Sequence, residues 1–425
     1  VPDTTTGPLT RGQLSQLRDD ESLPPEGRHQ PNVPRARPLV GAIPLSRVHH
    51  AMHRVRARHP ALRTTYDLAD PDRLRQVVHP ADAESAEIPQ VAVPAGADPT
   101  DFAEGYAREL ASRVFDLTAE EPWRVAVVTL DGRPTHLVTA IHHIAADLWS
   151  ENLLAEDLLT LLSGGEPTAP VDSPLDLATA QHSARGRADH AETEAYLRDV
   201  YTAAAATSAA AVLTSPKVLV NAVLDSRTAV RGAALRAAEL RATIPGMSVP
   251  NLVLAAFCYT THRVMGVDSL MISSLCNNRM YPGAARMVGN MVQWARVMSH
   301  HQPEQGFDEY AGHLHRAALR AYRHACYDVD VDTRIRHDVE STVGPIHFEV
   351  NYNYAQYEPE RLPADAPQWR VRKVPAPYYG GPGFYLVAYY GSHLELTGRT
   401  RWEGFSHAQM EAFLTEVHRL LLPTR

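Results

Sequence analysis

Residues 123–150 read WRVAVVTL DG RPTHLVTAI HH IAA D LWS, and this stretch decides how the whole chain is read. Trp123–Leu130 is β-branched and apolar, Asp131-Gly132 is a turn dipeptide, and Thr135–Ile141 resumes the apolar run, which together predict a β-hairpin. The second strand runs directly into His142-His143. After Asp147, Leu153, Leu154, Leu158 and Leu161 fall along one helical face that ends at Gly164-Gly165. A loop between a strand and a helix exposes side chains while the sheet holds them rigid, as catalytic groups require. A neutral imidazole there can take a proton from an attacking amine or hydroxyl. An aspartate four residues on can fix the loop by pairing with a distant arginine. The chain has 22 histidines, so an isolated His-His pair serves packing as readily as catalysis, and spacing alone leaves both readings open.

Working outward, residues 1–36 are rich in Pro and Arg, with one ordered piece at Leu9–Leu17. A strand is predicted at Pro38–Ala42, then a helix through Leu45, Val48, Met52 and Val55 that stops at His59-Pro60. Strands follow at 63–66 and 74–78, and a helix at about Asp101–Val114. Gly, Pro, Ser and Asp at 164–176 have linker composition, with helices after it to about 208. The predicted lobe boundary lies near 178, giving lobes 1–178 and 179–425. The second lobe repeats the mixed pattern. Helices are predicted at Pro250–Val264 and 307–324, and strands at Ser269–Leu275, Met291–Met298, His347–Tyr354, Tyr385–Tyr390 and Leu394–Trp402. A last helix opens on Ser406 with Gln409 three residues on, a capping box. The fold class is α/β, or α+β with mixed sheets.

Composition excludes several classes. At 425 residues the chain suits two lobes, and 44% hydrophobic residues supply real cores. The 41 Lys+Arg against 49 Asp+Glu give a net charge of −8, with no basic stripe for nucleic acid. Cys258, Cys276 and Cys326 have no metal spacing and form no disulfide framework, which fits core packing in a reducing, cytoplasmic compartment. No apolar run approaches the roughly 18 residues of a membrane span, and Val1–Pro8 has no signal-peptide core. A metal site built on His142, His143 and Asp147 is disfavoured, because adjacent histidines at a strand end point to opposite sides.

The segment 141–150 resembles the His-His-x-x-x-Asp-Gly core motif of condensation domains from nonribosomal peptide synthesis, within the chloramphenicol-acetyltransferase-like superfamily. Other matches fall in the family's order. Leu9-Thr10-Arg11-Gly12-Gln13-Leu14 resembles its first motif, and Arg58-His59-Pro60-Ala61-Leu62-Arg63-Thr64 its second. Phe115-Asp116-Leu117 with Pro122-Trp123-Arg124 resembles the stretch before the central hairpin. Asn278-Arg279 with Met287-Val288-Gly289-Asn290-Met291 resembles the fifth motif region, and Tyr327-Asp328 and 344–354 sit where the last motifs fall.

The resemblance implies two acetyltransferase-like lobes in a V-shaped pseudo-dimer with an active-site tunnel between them. It implies His143 as the catalytic group, acting as general base or by positioning the nucleophile. His142 and Asp147 would be structural, with Asp147 paired to Arg279 of the other lobe, or failing that to Arg63. Leu148 stands where the family has glycine, which narrows the passage or reorients the loop, while Trp149 keeps the family's Trp-Ser ending. Alternation on 347–354 puts Asn351 and Asn353 on one face with Glu349, where they orient an acceptor in the tunnel or cap a sheet edge. Asn290 reads as a turn residue. Tyr378–Gly383 sits where the family has a crossover between lobes, and a plain hairpin loop fits equally.

The implied activity is an acyltransferase of nonribosomal peptide or hybrid antibiotic biosynthesis, joining an amine or alcohol to an acyl thioester. The chain lacks a phosphate loop, an adenylation signature and a phosphopantetheine attachment motif. It would therefore bind no cofactor of its own and would act on substrate carried on the phosphopantetheine arm of a carrier protein. The expected partners are a donor acyl or peptidyl carrier protein and a second carrier or soluble acceptor, with no nucleic acid and no membrane, the chain itself being a monomer. A docking domain without catalysis and an acyl-CoA-dependent acyltransferase of the same superfamily are the alternatives.

Overall fold

The computed structural model describes residues 4–82, 87–207, 218–281, 284–346, 350–357, 362–363, 365–375 and 383–424. The chain forms two compact units: Val1–Ala191 with Asn277–Gln293 and Cys326–Val329, and Glu192–Cys276 with Trp294–Ala325 and Asp330–Arg425. Segments 277–293 and 326–329, assigned by sequence to the lobe 179–425, thus pack with the first unit. The physical reason is apolar: Leu177, Ala284, Met287 and Met291 bury one another, and Val288 joins the main core of the first unit.

The first unit opens with β1 (Thr5–Pro8), α1 (Arg11–Glu21), β2 (Asn32–Pro38) and α2 (Leu45–Arg58). It continues with β3 (Thr64–Asp67), β4 (Arg75–Val78), β5 (Gln90–Ala92) and α3 (Pro99–Ala111). The central hairpin is β6 (Trp123–Leu130) and β7 (Arg133–His142), followed by α4 (Leu148–Leu162) and α5 (Pro174–Gln181). Helix α6 (Ala184–Ala205) contains the division between units. Two sheets result, ordered β1-β4-β3 and β2-β7-β6-β5.

The hairpin turn is built as its residues dictate, with Asp131 and Gly132 at φ 51° and 74°. The strand expected at Pro38–Ala42 lies earlier, at Asn32–Pro38. It is the edge strand of its sheet, where the missing N–H groups of Pro34 and Pro38 are tolerated. Helix α1 runs past the expected Leu17, and Thr10 and Gln13 close a capping box at its start.

The second unit contains β8 (Val220–Ser226), α7 (Thr228–Leu240), α8 (Val249–Met265), β9 (Ser269–Cys276) and β10 (Gln293–His300). Then come α9 (Phe307–Arg323), α10 (Val329–Thr342), β11 (Val350–Ala355), β12 (Trp369–Lys373), β13 (Phe384–Tyr390), β14 (Leu394–Thr400) and α11 (His407–Leu420). Its seven-stranded sheet is ordered β10-β9-β11-β13-β14-β8-β12 and is mixed: β11 runs parallel to β9 and β13, while β14 is antiparallel to β13 and β8. Glu349 and most of the Tyr378–Gly383 stretch lie outside the described residues. Among the described residues, no helix is long and apolar enough to cross a membrane.

Candidate active site

The candidate site is the turn between β7 and α4. Strand β7 is hydrogen-bonded to its edge on both sides: the His142 N–H donates to the Pro122 carbonyl (2.8 Å) and the His143 N–H to that of Pro31 (2.9 Å). The turn then closes on itself, with the Ala145 N–H on the His142 carbonyl (2.9 Å) and the Ile144 N–H on His142 Nδ1 (3.2 Å). Ile144, Ala145 and Ala146 are fully buried, so the loop is packed into the core. His143 alone in this turn is partly exposed. Its Nδ1 is buried with no hydrogen-bond partner among the described residues.

His142 points the other way. Its ring is buried edge-to-face against Phe115 (centroids 5.9 Å apart), and the Arg124 guanidinium lies over the far ring (3.7 Å). Burial, with His143 and Arg124 adding positive charge nearby, pushes its pKa down to about 3, so the ring is neutral at physiological pH.

Asp147 caps α4: its Oδ1 accepts from the N–H and the hydroxyl of Ser150, both at 2.8 Å. Its charge is met by Arg279, whose Nη2 lies 2.5 Å from each carboxylate oxygen, and its Oδ2 also accepts from the Met291 N–H (3.2 Å). Arg279 in turn donates to the carbonyls of Ala284 (3.0 Å), Met287 (2.6 Å) and Gly289 (2.9 Å). Both side chains are 5% exposed or less. These bonds satisfy the carboxylate and the guanidinium's terminal nitrogens, as a buried ion pair requires, while Arg279 Nε has no partner among the described residues. Arg279 reaches Asp147 from within the same compact unit, in the segment 277–293, and not from the other lobe. Arg63, the other candidate partner, instead donates to the His79 carbonyl.

Leu148 is the first residue of α4 and is half-buried, so the side chain in place of the motif glycine sits at the helix entrance. Trp149 is exposed, its indole N–H tied to the Ala285 carbonyl (2.9 Å). Asn290 makes a side-chain bond to Gln16 (3.0 Å) on α1, as well as holding its own turn through Val292 (2.9 Å). Gly12 of α1 approaches the same backbone so closely that a β-carbon there would lie 2.1 Å from the Asn290 carbonyl oxygen. Asn351 and Asn353 belong to the second unit, on β11, opposite Tyr385 and Val387 of β13.

The second motif also has a structural purpose. His59 Nε2 (2.8 Å) and Arg58 Nε (2.7 Å) both meet Asp157 and anchor the end of α2 to α4. An apolar pocket against β7 is lined by Met52, Val55, Leu137, Ile141 and Leu154, with the Arg35–Glu151 pair (2.6 Å) also in its wall. Among the described residues, the group close enough to share a cation is Asp225, His393 and Glu395 of the second unit, where Arg370 and Arg372 already donate to Asp225.

Sequence reasoning missed Ser150, the Met291 N–H and Asp20, which faces His142. The one available signal for Asp20 was the run Asp19-Asp20-Glu21, three acids at the helix end where the dipole disfavours them.

The two units, with their mixed sheets, match the fold of solved condensation domains. The condensation domain that mediates chain release from the enacyloxin polyketide synthase superposes with a TM-score of 0.72 at 18% identity, over 99% of this chain and 82% of that one. The starter condensation domain of rhizomide synthetase RzmA gives 0.73 at 17%, over 98% and 95%. SgcC5 of Streptomyces globisporus gives 0.67 at 16%, over 98% of each. The family follows from the sequence as well: the condensation domain model matches residues 25–421, and the chain belongs to that family.

Among curated relatives, phosphinothricin tripeptide synthetase PhsB of Streptomyces viridochromogenes is 26% identical over 76% of this chain, and nonribosomal peptide synthetase kk1B of Curvularia clavata is 25% identical over 68%. The chain spans 27% of the length of the first and 2% of the second.

Proposed function

We propose that this chain is an acyltransferase that forms an amide or ester bond from a thioester held on the phosphopantetheine arm of a carrier protein. The acceptor nitrogen or oxygen attacks the thioester carbonyl, the C–S bond breaks, and the acceptor's proton passes through His143 to the departing thiolate. The observation that carries this reading is the turn itself. Every neighbour of His143 in it is buried, and its geometry is fixed by Asp147, Arg279 and His142, leaving one imidazole available. With Nδ1 buried, the reading assigns proton transfer to Nε2. Catalysis then rests on holding the reactants together, plus proton handling worth about 10²–10⁴-fold.

Both acceptor classes stay within the proposal. The SgcC5 structure holds an aryl 1,2-ethanediol and the rhizomide starter domain holds C8-CoA, which supports an alcohol acceptor and a fatty acyl donor as members of the test panel. The test is loss of acyl group from a loaded carrier, read by intact-protein mass spectrometry with amines and alcohols, for wild type and His143→Ala. Transfer that depends on His143 supports the reading. Carrier binding without any transfer would make the chain a docking domain, and equal transfer by the variant would remove His143 from its role.

A further inference from the structure

The C-terminal turn of α1 brings a carboxylate against the back of the candidate site. Asp20 Oδ2 lies 3.4 Å from His142 Nε2, a close approach just beyond good hydrogen-bond length, and it has no hydrogen-bond partner among the described residues. Its other oxygen accepts from the Gln16 side chain at 2.7 Å. The Asp20 side chain is only 17% exposed and His142 5%. On the opposite side of the ring, Nδ1 accepts the Ile144 N–H. A neutral imidazole carries one N–H, so accepting at Nδ1 places the proton on Nε2, facing Asp20.

We propose that Asp20 is a positioning residue for acyl transfer: its ionised carboxylate holds His142 as the Nε2–H tautomer, which keeps the Ile144 bond and so the turn that presents His143. The idea rests on the transfer reading above. When Asp20 takes up a proton, Oδ1 is already engaged by Gln16, so the proton sits on Oδ2 and points at Nε2. The His142 proton must then move to Nδ1, where it meets the Ile144 N–H, and the turn loses that closure. No net proton is gained by the ring.

Burial of the Asp20 carboxylate places this change in the physiological range. Burial raises the Asp20 pKa to about 7, with the neighbouring Asp19 and Glu21 adding to it and the Gln16 bond opposing it. Glu21 is paired to Arg18 on the same helix, at 2.9 Å. From the sheet side the charged or titratable groups are His142, His143 and Arg124, the last held by Glu120 at 2.9 Å. Among these described groups, none places a cation directly on Asp20.

The experiment combines two readouts. The imidazole nitrogens of His142, labelled with ¹⁵N and assigned by loss of signal in His142→Gln, should report the Nε2–H tautomer at pH 8 and depart from it with a midpoint near 7. In Asp20→Asn the tautomer should not change between pH 6 and 8. In the transfer assay, the wild-type kcat divided by that of Asp20→Asn should fall about tenfold from pH 8 to 6, the change in ionised fraction of a group titrating near 7. Any pH dependence that the two proteins share cancels in that ratio. A tautomer that ignores pH in wild type, or a constant ratio, overturns the proposal. If wild type transfers nothing with any donor while the His142 tautomer still titrates near 7, the coupling stands and the transfer reading falls.

Discussion

Replacing Arg279 with methionine keeps an unbranched apolar stem and removes the charged head, leaving the Asp147 carboxylate 1% exposed with no cation. The converse change, Asp147→Asn, keeps the oxygen that caps α4 but turns an amide N–H₂ toward a buried guanidinium. Each single change should cost about 3–5 kcal/mol, the usual consequence of leaving one buried charge without its partner. Arg279→Met also strips the Ala284 and Met287 carbonyls of a donor, which sets it at the upper end of that range. The double variant has no buried charge left, so it should cost only about 3–4 kcal/mol, well short of the sum. The cycle therefore carries a coupling of about 3 kcal/mol or more. In urea, with a slope of about 3 kcal/mol per molar, a single change should move the midpoint by about 1–1.7 M. Single costs below about 1 kcal/mol, or a double that equals the sum of the singles, would refute the argument that this pair fixes the turn.

Four further outcomes are expected. His143→Ala should lower transfer by about 10²–10⁴-fold while shifting the urea midpoint little, since the ring is half-exposed and its Nδ1 holds nothing. Gly12→Ala should destabilise by about 1–3 kcal/mol in the same titration, because the new carbon would lie 2.1 Å from a backbone oxygen that cannot swing away. Leu148→Gly should cost about 1 kcal/mol at the start of α4 and widen the set of acceptors used in the transfer panel. Asp20, raised from 3.8 to about 7, holds a proton in the folded chain that the unfolded chain has lost. The stability it lends is thus present at low pH and disappears as pH rises through 7. Wild type should accordingly weaken relative to Asp20→Asn between pH 5 and 8, by at most about 3 kcal/mol in urea titrations.

How far the sequence reveals the site depends on how local each feature is. The hairpin and α4 are legible because their signals are adjacent in the chain: Asp131-Gly132 demands positive φ, and Asp147 stands three residues before the N–H it caps. Strands β8 and β12 left no such signal. Val220–Ser226 is buried on both faces and does not alternate, and Trp369–Lys373 alternates arginine with apolar residues only because Asp225 waits on the neighbouring strand. Arg279 could be singled out through the family resemblance, yet its position in the first unit depends on Met287, Val288 and Met291 choosing that core, which no local pattern encodes.

Asp20 shows the opposite case, a local pattern that violates its own rule. Three acids at a helix C-terminus oppose the dipole and one another. An ordered piece expected only over Leu9–Leu17 hides the violation, because acids in a loop break no rule. Once the helix is seen to run to Glu21, the middle acid is both unfavourable where it stands and aimed at the ring that closes the turn before α4. A position that local preference disfavours and the fold nevertheless keeps half-buried is where a site function is to be sought. Here the geometry names that function as control of a tautomer, with the free energy of the misplaced carboxylate held against the shape of the turn.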